Sequence, residues 1–164
     1  MSVFHSISAF CNAGFDILGT TDHTFVSLTG YSRNIWLNIV IMLLIILGGI
    51  GFLTWEDFYT NKFKFKRYRM QSKVILITTA ILIIAPAVFF FACDFGNLPA
   101  GKRLLASVFQ SVTTRTAGFN TEDLSLMTEA GKAVMILLML IGGSPSSTAG
   151  GMKTTTFAVL ILNA

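Results

Sequence analysis

Long apolar runs alternate with short polar loops along this chain, and the lengths of the runs set the first expectations. Ile35 to Trp55 is 21 residues without a charge, and Val74 to Cys93 is 20. A helix needs about 20 apolar residues to cross a hydrocarbon core of about 30 Å, so both runs predict transmembrane helices. Gly101 to Val112 is amphipathic and only twelve residues long. As a helix it rises about 18 Å, enough to enter a membrane and too little to cross it. The stretch that follows, Thr113 to Thr121, is too polar to face lipid. Irregular backbone at membrane depth persists only where protein or a water-filled cavity surrounds it, so this loop is expected to line a pore. Ala133 to Ile141 is apolar again but only nine residues, about 13 Å of helix. Gly142 to Gly151 then interrupts with small residues, and a largely apolar run resumes at Met152. A break halfway across a membrane is the pattern of a discontinuous helix near an ion site.

The same order of parts occurs twice. Ser2-Val3-Phe4-His5-Ser6-Ile7 matches Ser107-Val108-Phe109-Gln110-Ser111-Val112, and after a one-residue shift Ala13-Gly14-Phe15-Asp16 matches Ala117-Gly118-Phe119-Asn120. Val40 to Gly49 then matches Val134 to Gly143, each apolar run ending in Gly-Gly. Apolar runs resemble each other by chance, but Ala-Gly-Phe followed by Gly-Gly in the same order is a far more specific signal. The complete copy reads span, short helix, Gly loop, span; the first copy lacks its opening span. Residues 1–61 are therefore assigned the short helix, loop and second span of one repeat, 62–73 a linker, and 74–164 the next repeat with a broken second span. The chain begins inside a short helix and ends in mid-run at Leu162-Asn163-Ala164, so a fragment of a longer polypeptide is expected.

Composition agrees with a membrane. The chain is 53% hydrophobic and 12% charged, about half the charged share of a soluble domain, with mean hydropathy +0.70. Fifteen Phe would be hard to bury in a soluble core of this size. The linker holds Lys62, Lys64, Lys66, Arg67, Arg69 and Lys73, six of the twelve basic residues, beside Phe63 and other aromatics. By the positive-inside rule it is cytoplasmic, anchored at anionic lipid and not a nucleic-acid patch. Six of the eight acidic residues, Asp16, Asp22, Asp94, Glu122, Asp123 and Glu129, then fall outside, where they balance five basic ones. No secretory signal is visible at the N-terminus. Cys11 and Cys93 give neither a disulfide framework nor a metal site.

The Gly loops have the chemistry of a cation filter. Backbone carbonyls turned inward replace a cation's hydration shell, and Gly tolerates the backbone angles that aim successive carbonyls one way. The short helix points its partially negative C-terminus at the same cavity. The candidate ion-binding residues are Asn12, Ala13, Gly14 and Phe15 in one loop, and Thr116, Ala117, Gly118 and Phe119 in the other. Arg115 is expected to brace the second loop from behind, because an arginine in the path would repel cations, and His5 to be a packed residue.

Gln110-Ser111-Val112-Thr113-Thr114-Arg115-Thr116-Ala117-Gly118-Phe119-Asn120-Thr121, together with Gly142-Gly143-Ser144-Pro145-Ser146-Ser147-Thr148-Ala149-Gly150-Gly151-Met152-Lys153-Thr154, resembles the membrane subunit of bacterial potassium uptake systems, the KtrB/TrkH/HKT superfamily, and most of all its KtrB branch. The resemblance covers essentially the whole chain. It implies an all-α membrane protein in which four span–pore helix–filter loop–span units surround one pore, two of them here. It implies potassium uptake across a bacterial cell membrane, K+ as the transported ion, Na+ as a candidate activator and no bound cofactor. A homodimer docked on a cytoplasmic nucleotide-binding ring of the RCK type is implied as well. It also makes Gly142, Gly143, Ser144, Pro145, Ser146, Ser147, Thr148, Ala149, Gly150, Gly151 and Lys153 an intramembrane gate loop. Such a gate has to be poorly packed and mobile, which the Gly content suits.

Other readings of that loop stand beside this one. A nucleotide P-loop is disfavoured because Lys153 does not directly follow Gly151 and no strand precedes it. A Ser/Lys hydrolase built on Ser144, Ser146 or Ser147 with Lys153 lacks an orienting partner. A helix-packing face of small residues is the structural alternative, with Lys153 either snorkelling or in the pore. A non-conducting assembly subunit is the alternative for the whole chain.

Overall fold

A computed structural model describes residues 2–19, 26–62 and 64–163; Asp22, Phe63 and Ala164, named above, lie outside them. Among the described residues the architecture is helical, with no β-strand: α1 (Ser2–Phe10), α2 (Ile35–Ile50), α3 (Phe52–Asn61), α4 (Met70–Cys93), α5 (Ala100–Thr116), α6 (Glu129–Leu140) and α7 (Thr154–Asn163).

One predicted span is corrected. Ile35 to Trp55 is not one helix: α2 ends at Ile50, and α3 leaves it at 95°. The bend is at Gly51, whose φ of +92° is a left-handed-side value that side chains disfavour. A methyl group there would also lie 2.4 Å from the carbonyl oxygen of Pro145. Both sides of the bend are apolar, so the hydrophobic pattern ran straight through it. Two bonds repair the break. The Trp55 indole donates to the Leu47 carbonyl (3.1 Å), and Phe52 N–H donates to the Ser146 carbonyl (2.9 Å).

The second predicted span forms as α4, 24 residues long and apolar enough to cross a membrane. Pro86 lies inside it and has no N–H to offer the carbonyl one turn back. The Ser111 hydroxyl of α5 reaches this spot, donating to Ile83 O at 2.7 Å with Leu82 O at 3.5 Å. In lipid, helices gain little from burying more hydrocarbon, so interhelical bonds and close packing hold them together. The buried run of α5, Ala106 to Thr114 without Val108, fits that rule, with five of its eight residues small or hydroxylated.

α5 is also longer than expected. Thr113, Thr114 and Thr116 belong to the helix and not to the loop. Thr114 returns its hydroxyl to the Gln110 carbonyl (2.6 Å), as a threonine inside a helix can. α6 starts at Glu129, capped by the Thr128 hydroxyl on Gly131 N–H (3.1 Å). Two apolar clusters flank α5. One joins Ala9, Ile41, Ile45, Phe109, Val112 and Phe119; the other joins Phe90, Phe95, Ala106, Met135 and Leu138.

Candidate functional site

The two Gly loops, far apart in sequence, lie against each other. A methyl group on Gly14 would sit 1.9 Å from the Ala117 carbonyl oxygen, so only Gly permits the approach. Gly14 (φ +71°) and Gly118 (φ +85°) both have positive φ, as does Asn12 (+52°), the non-Gly residue type that visits this region most readily. The Thr116 hydroxyl of the second loop donates to Asn12 Oδ1 of the first (2.8 Å).

Each loop is braced to its own short helix in the same way. The Ser8 hydroxyl donates to Phe15 O at 2.8 Å, and the Thr113 hydroxyl donates to Phe119 O at 2.7 Å. Ala13 N–H closes on Ser8 O (2.9 Å) as Gly118 N–H closes on Thr113 O (3.1 Å). Ser8 and Thr113 are equivalent in the repeat, and the one-residue shift between copies is an extra residue at the end of α1. The braces turn the Phe15 and Phe119 carbonyls back toward the helices. Among the described residues, the carbonyls of Asn12, Ala13, Gly14, Thr116, Ala117 and Gly118 accept no hydrogen bond. The two phenylalanines differ: Phe119 is fully buried, and Phe15 is 70% exposed.

The Gly/Ser loop, 142–151, sits beneath. It is compact, against the expectation of loose packing. Gly142 N–H donates to Met152 O (2.8 Å), Gly143 N–H to Gly150 O (3.2 Å) and Thr154 N–H to Gly143 O (3.1 Å), so its two ends are pinned together. A methyl on Gly142 would collide with Gly150 O at 1.7 Å. The loop docks on the end of α2: Ser144 N–H donates to Gly49 O (3.0 Å), and Thr148 N–H to Gly48 O (3.3 Å). The Gly-Gly pairs matched in the repeat thus meet in space.

Side chains tie the loop further. Lys153 Nζ donates to Ala149 O (2.9 Å), and Ser144 shares a hydrogen bond with Thr154 (3.1 Å), both fully buried. Lys153 hydrogen-bonds none of Ser144, Ser146 and Ser147, and the Ser/Lys dyad has no geometry to stand on. Arg115 Nη2 donates to Gly142 O (3.2 Å), joining α5 to the loop it precedes in space. His5 is buried, edge-on to Phe4.

Outside, the second loop continues into Asn120, whose N–H donates to Ser27 Oγ (2.9 Å) and whose carbonyl accepts from Leu28 N–H (2.9 Å). Beside it Lys102 pairs with Glu122 at 2.9 Å. The side chain and backbone N–H of Ser125 hold Asp123 below the usual carboxylate range. The hydroxyl braces, Ser27 and the Gly48–Thr148 contact were not anticipated from the sequence pattern. The braces were findable, since Ser8 and Thr113 align once the repeat is seen.

Two short helices that stop inside a bundle, each followed by a loop whose carbonyls accept no hydrogen bond among the described residues, lie beside an apolar helix long enough to cross a membrane, the architecture of a membrane transport protein. A family model described as a cation transport protein, TrkH, matches residues 1–164. The chain belongs to this family, a transporter family and not an enzyme family. It is 41% identical to the potassium/sodium uptake protein NtpJ of Enterococcus hirae over 98% of its own length and 35% of that protein's. It is 39% identical to the Ktr system potassium uptake protein B of Bacillus subtilis, over 98% and 36%. The chain spans about a third of the length of these curated relatives. The solved potassium transporter TrkH from Vibrio parahaemolyticus matches at a TM-score of 0.77 and 19% identity, over 98% of this chain and 34% of that one. That likeness is one of fold.

Proposed function

We propose that this chain supplies two of the pore loops of a potassium uptake protein in a bacterial cell membrane. The observation that carries the reading is the pair of Gly loops, held side by side by matching hydroxyl braces with six carbonyls free of protein partners. A dehydrating K+ needs such carbonyls. Asn12 to Gly14 and Thr116 to Gly118 donate them in this reading, and Phe15 and Phe119 anchor the loops through carbonyls turned backward. The ends of α1 and α5 add their partial negative charge.

The Gly/Ser loop from Gly142 to Gly151, with Lys153, acts as the gate. Its pinned ends make it a flap that moves as a unit on its seat at Gly48 to Gly51. The relatives named as parts of Ktr systems support a protein that works with partners in a transport system; the partners proposed, from the family resemblance, are a second copy in a homodimer and a cytoplasmic nucleotide-binding ring of the RCK type facing the basic linker 62–73. Na+ is proposed as an activator.

The test is K+ uptake against external K+ and competing Na+, using the complete polypeptide in cells that lack their own uptake systems, normalised to membrane-inserted protein. Gly14→Ser and Gly118→Asp each lower uptake or K+ preference without loss of protein. Unchanged uptake and preference in both would sink the filter assignment and leave a non-conducting assembly subunit.

A further inference from the structure

One side chain touches both Gly loops and the Gly/Ser loop. Asn12 is buried. Its Oδ1 accepts from the Thr116 hydroxyl of the second Gly loop at 2.8 Å. Its Nδ2 donates to Thr148 Oγ1 of the Gly/Ser loop at 3.1 Å, with Ile45 O at 3.5 Å. The Thr148 hydroxyl in turn donates to Phe10 O at the end of α1 (2.9 Å), with Gly48 O within reach at 3.2 Å. A carboxamide is suited to this post because it accepts on one arm and donates on the other. Its backbone at φ +52° is a conformation that Asn adopts more easily than other side-chain-bearing residues.

The geometry points to Asn12 as a positioning residue that couples the two filter loops to the seat of the gate, so that ion preference depends on where the gate lies. The inference rests on the filter and gate reading above and deepens it. With the flap seated, Thr148 holds the Asn12 amide, and Asn12 holds Thr116. When the flap swings away it takes the Thr148 hydroxyl with it. The amide then loses a partner, and the contact between the filter loops slackens. Selectivity is therefore highest with the gate seated and relaxes as the gate opens.

The test uses the purified complete polypeptide in detergent and reads equilibrium K+ binding against competing Na+ per folded protein, which reports the filter with the gate seated. Three variants separate the roles. Asn12→Gly keeps the left-handed backbone and deletes both bonds. Thr148→Val keeps the shape and deletes the hydroxyl. Thr148→Ser restores it. Asn12→Gly and Thr148→Val each make Na+ compete about fivefold better, the worth of one hydrogen bond, and Thr148→Ser recovers the original preference. The double variant is no worse than either single one, because both cut the same link.

Two outcomes overturn the coupling: preference unchanged in both variants, or additive losses that track the amount of folded protein. Failure of the filter and gate reading is distinguishable. In that case Gly118→Asp and deletion of 145–149 also leave preference and the uptake rate in cells unchanged. If only the link is wrong, those two variants still alter transport while Asn12→Gly and Thr148→Val do not.

Discussion

At the scale of single residues, the glycines of the two Gly loops look alike in sequence and differ in space. Gly14 combines positive φ with a carbonyl 1.9 Å from where a methyl would sit, whereas Gly118 has positive φ and open space. Left-handed backbone costs an ordinary residue about 1–2 kcal/mol; a methyl driven into a carbonyl cannot be relieved without moving the loop. Gly118→Ala is therefore expected to leave the protein folded, with melting lowered by a few degrees in detergent. Gly14→Ala separates the loops and abolishes selective uptake. Equal melting and uptake in the two variants would contradict the close approach. The residue scale is also where sequence reading stopped short. Ala-Gly-Phe was visible twice, but the partner of each residue depends on a fold that brings residue 12 to residues 116 and 148.

The elements show a similar division. The short helices and the broken span were legible because a length mismatched to a bilayer is a property of sequence. The break at Gly51 was not, since apolar residues continue across it and the cause is a loop nearly a hundred residues away. The Gly48-Gly49 pair tests a second close approach of α2, against the end of α1. A methyl on Gly48 would meet Phe10 O at 1.9 Å, whereas Gly49 faces open space. Gly48→Ala is expected to destabilise the folded protein by about 1–3 kcal/mol, the range for overpacking, and Gly49→Ala by little. Thermal unfolding in detergent of the pair decides it. A helix-packing role for the Gly/Ser loop makes a different prediction from a gating one. Deleting Pro145 to Ala149 leaves the pinned ends in place, so protein level should hold while the maximal K+ uptake rate rises severalfold. A rate that falls in step with inserted protein would favour packing alone.

For the whole molecule, the repeat is the deepest information the sequence carried: two copies, one shift, and a shared Gly-Gly. It foretold that the copies are alike, and not that their Gly-Gly pairs would pack on each other and make one copy the seat of the other's loop. Two loops enclose only part of a path, and backbone groups left facing lipid cost several kcal/mol each. Purified residues 1–164 in liposomes are accordingly expected to give no selective K+ flux. Selective flux from them would mean that several copies assemble around one pore.

The right-angle turn after α2 carries a consequence for the lipid itself. α2 has 16 residues, a rise of about 24 Å, short of a typical hydrocarbon core. α3 runs off sideways with Phe52, Trp55, Phe58 and Tyr59 exposed, and Trp and Tyr rings settle at headgroup depth. Through Trp55 and Tyr59, α3 would act as a float that sets how deep this part of the protein rides. A thicker bilayer would pull on the float, and the pull would arrive at Gly51, where the Gly/Ser loop rests. If the proposed gate holds, acyl-chain length becomes an input to it, with no ligand or partner involved.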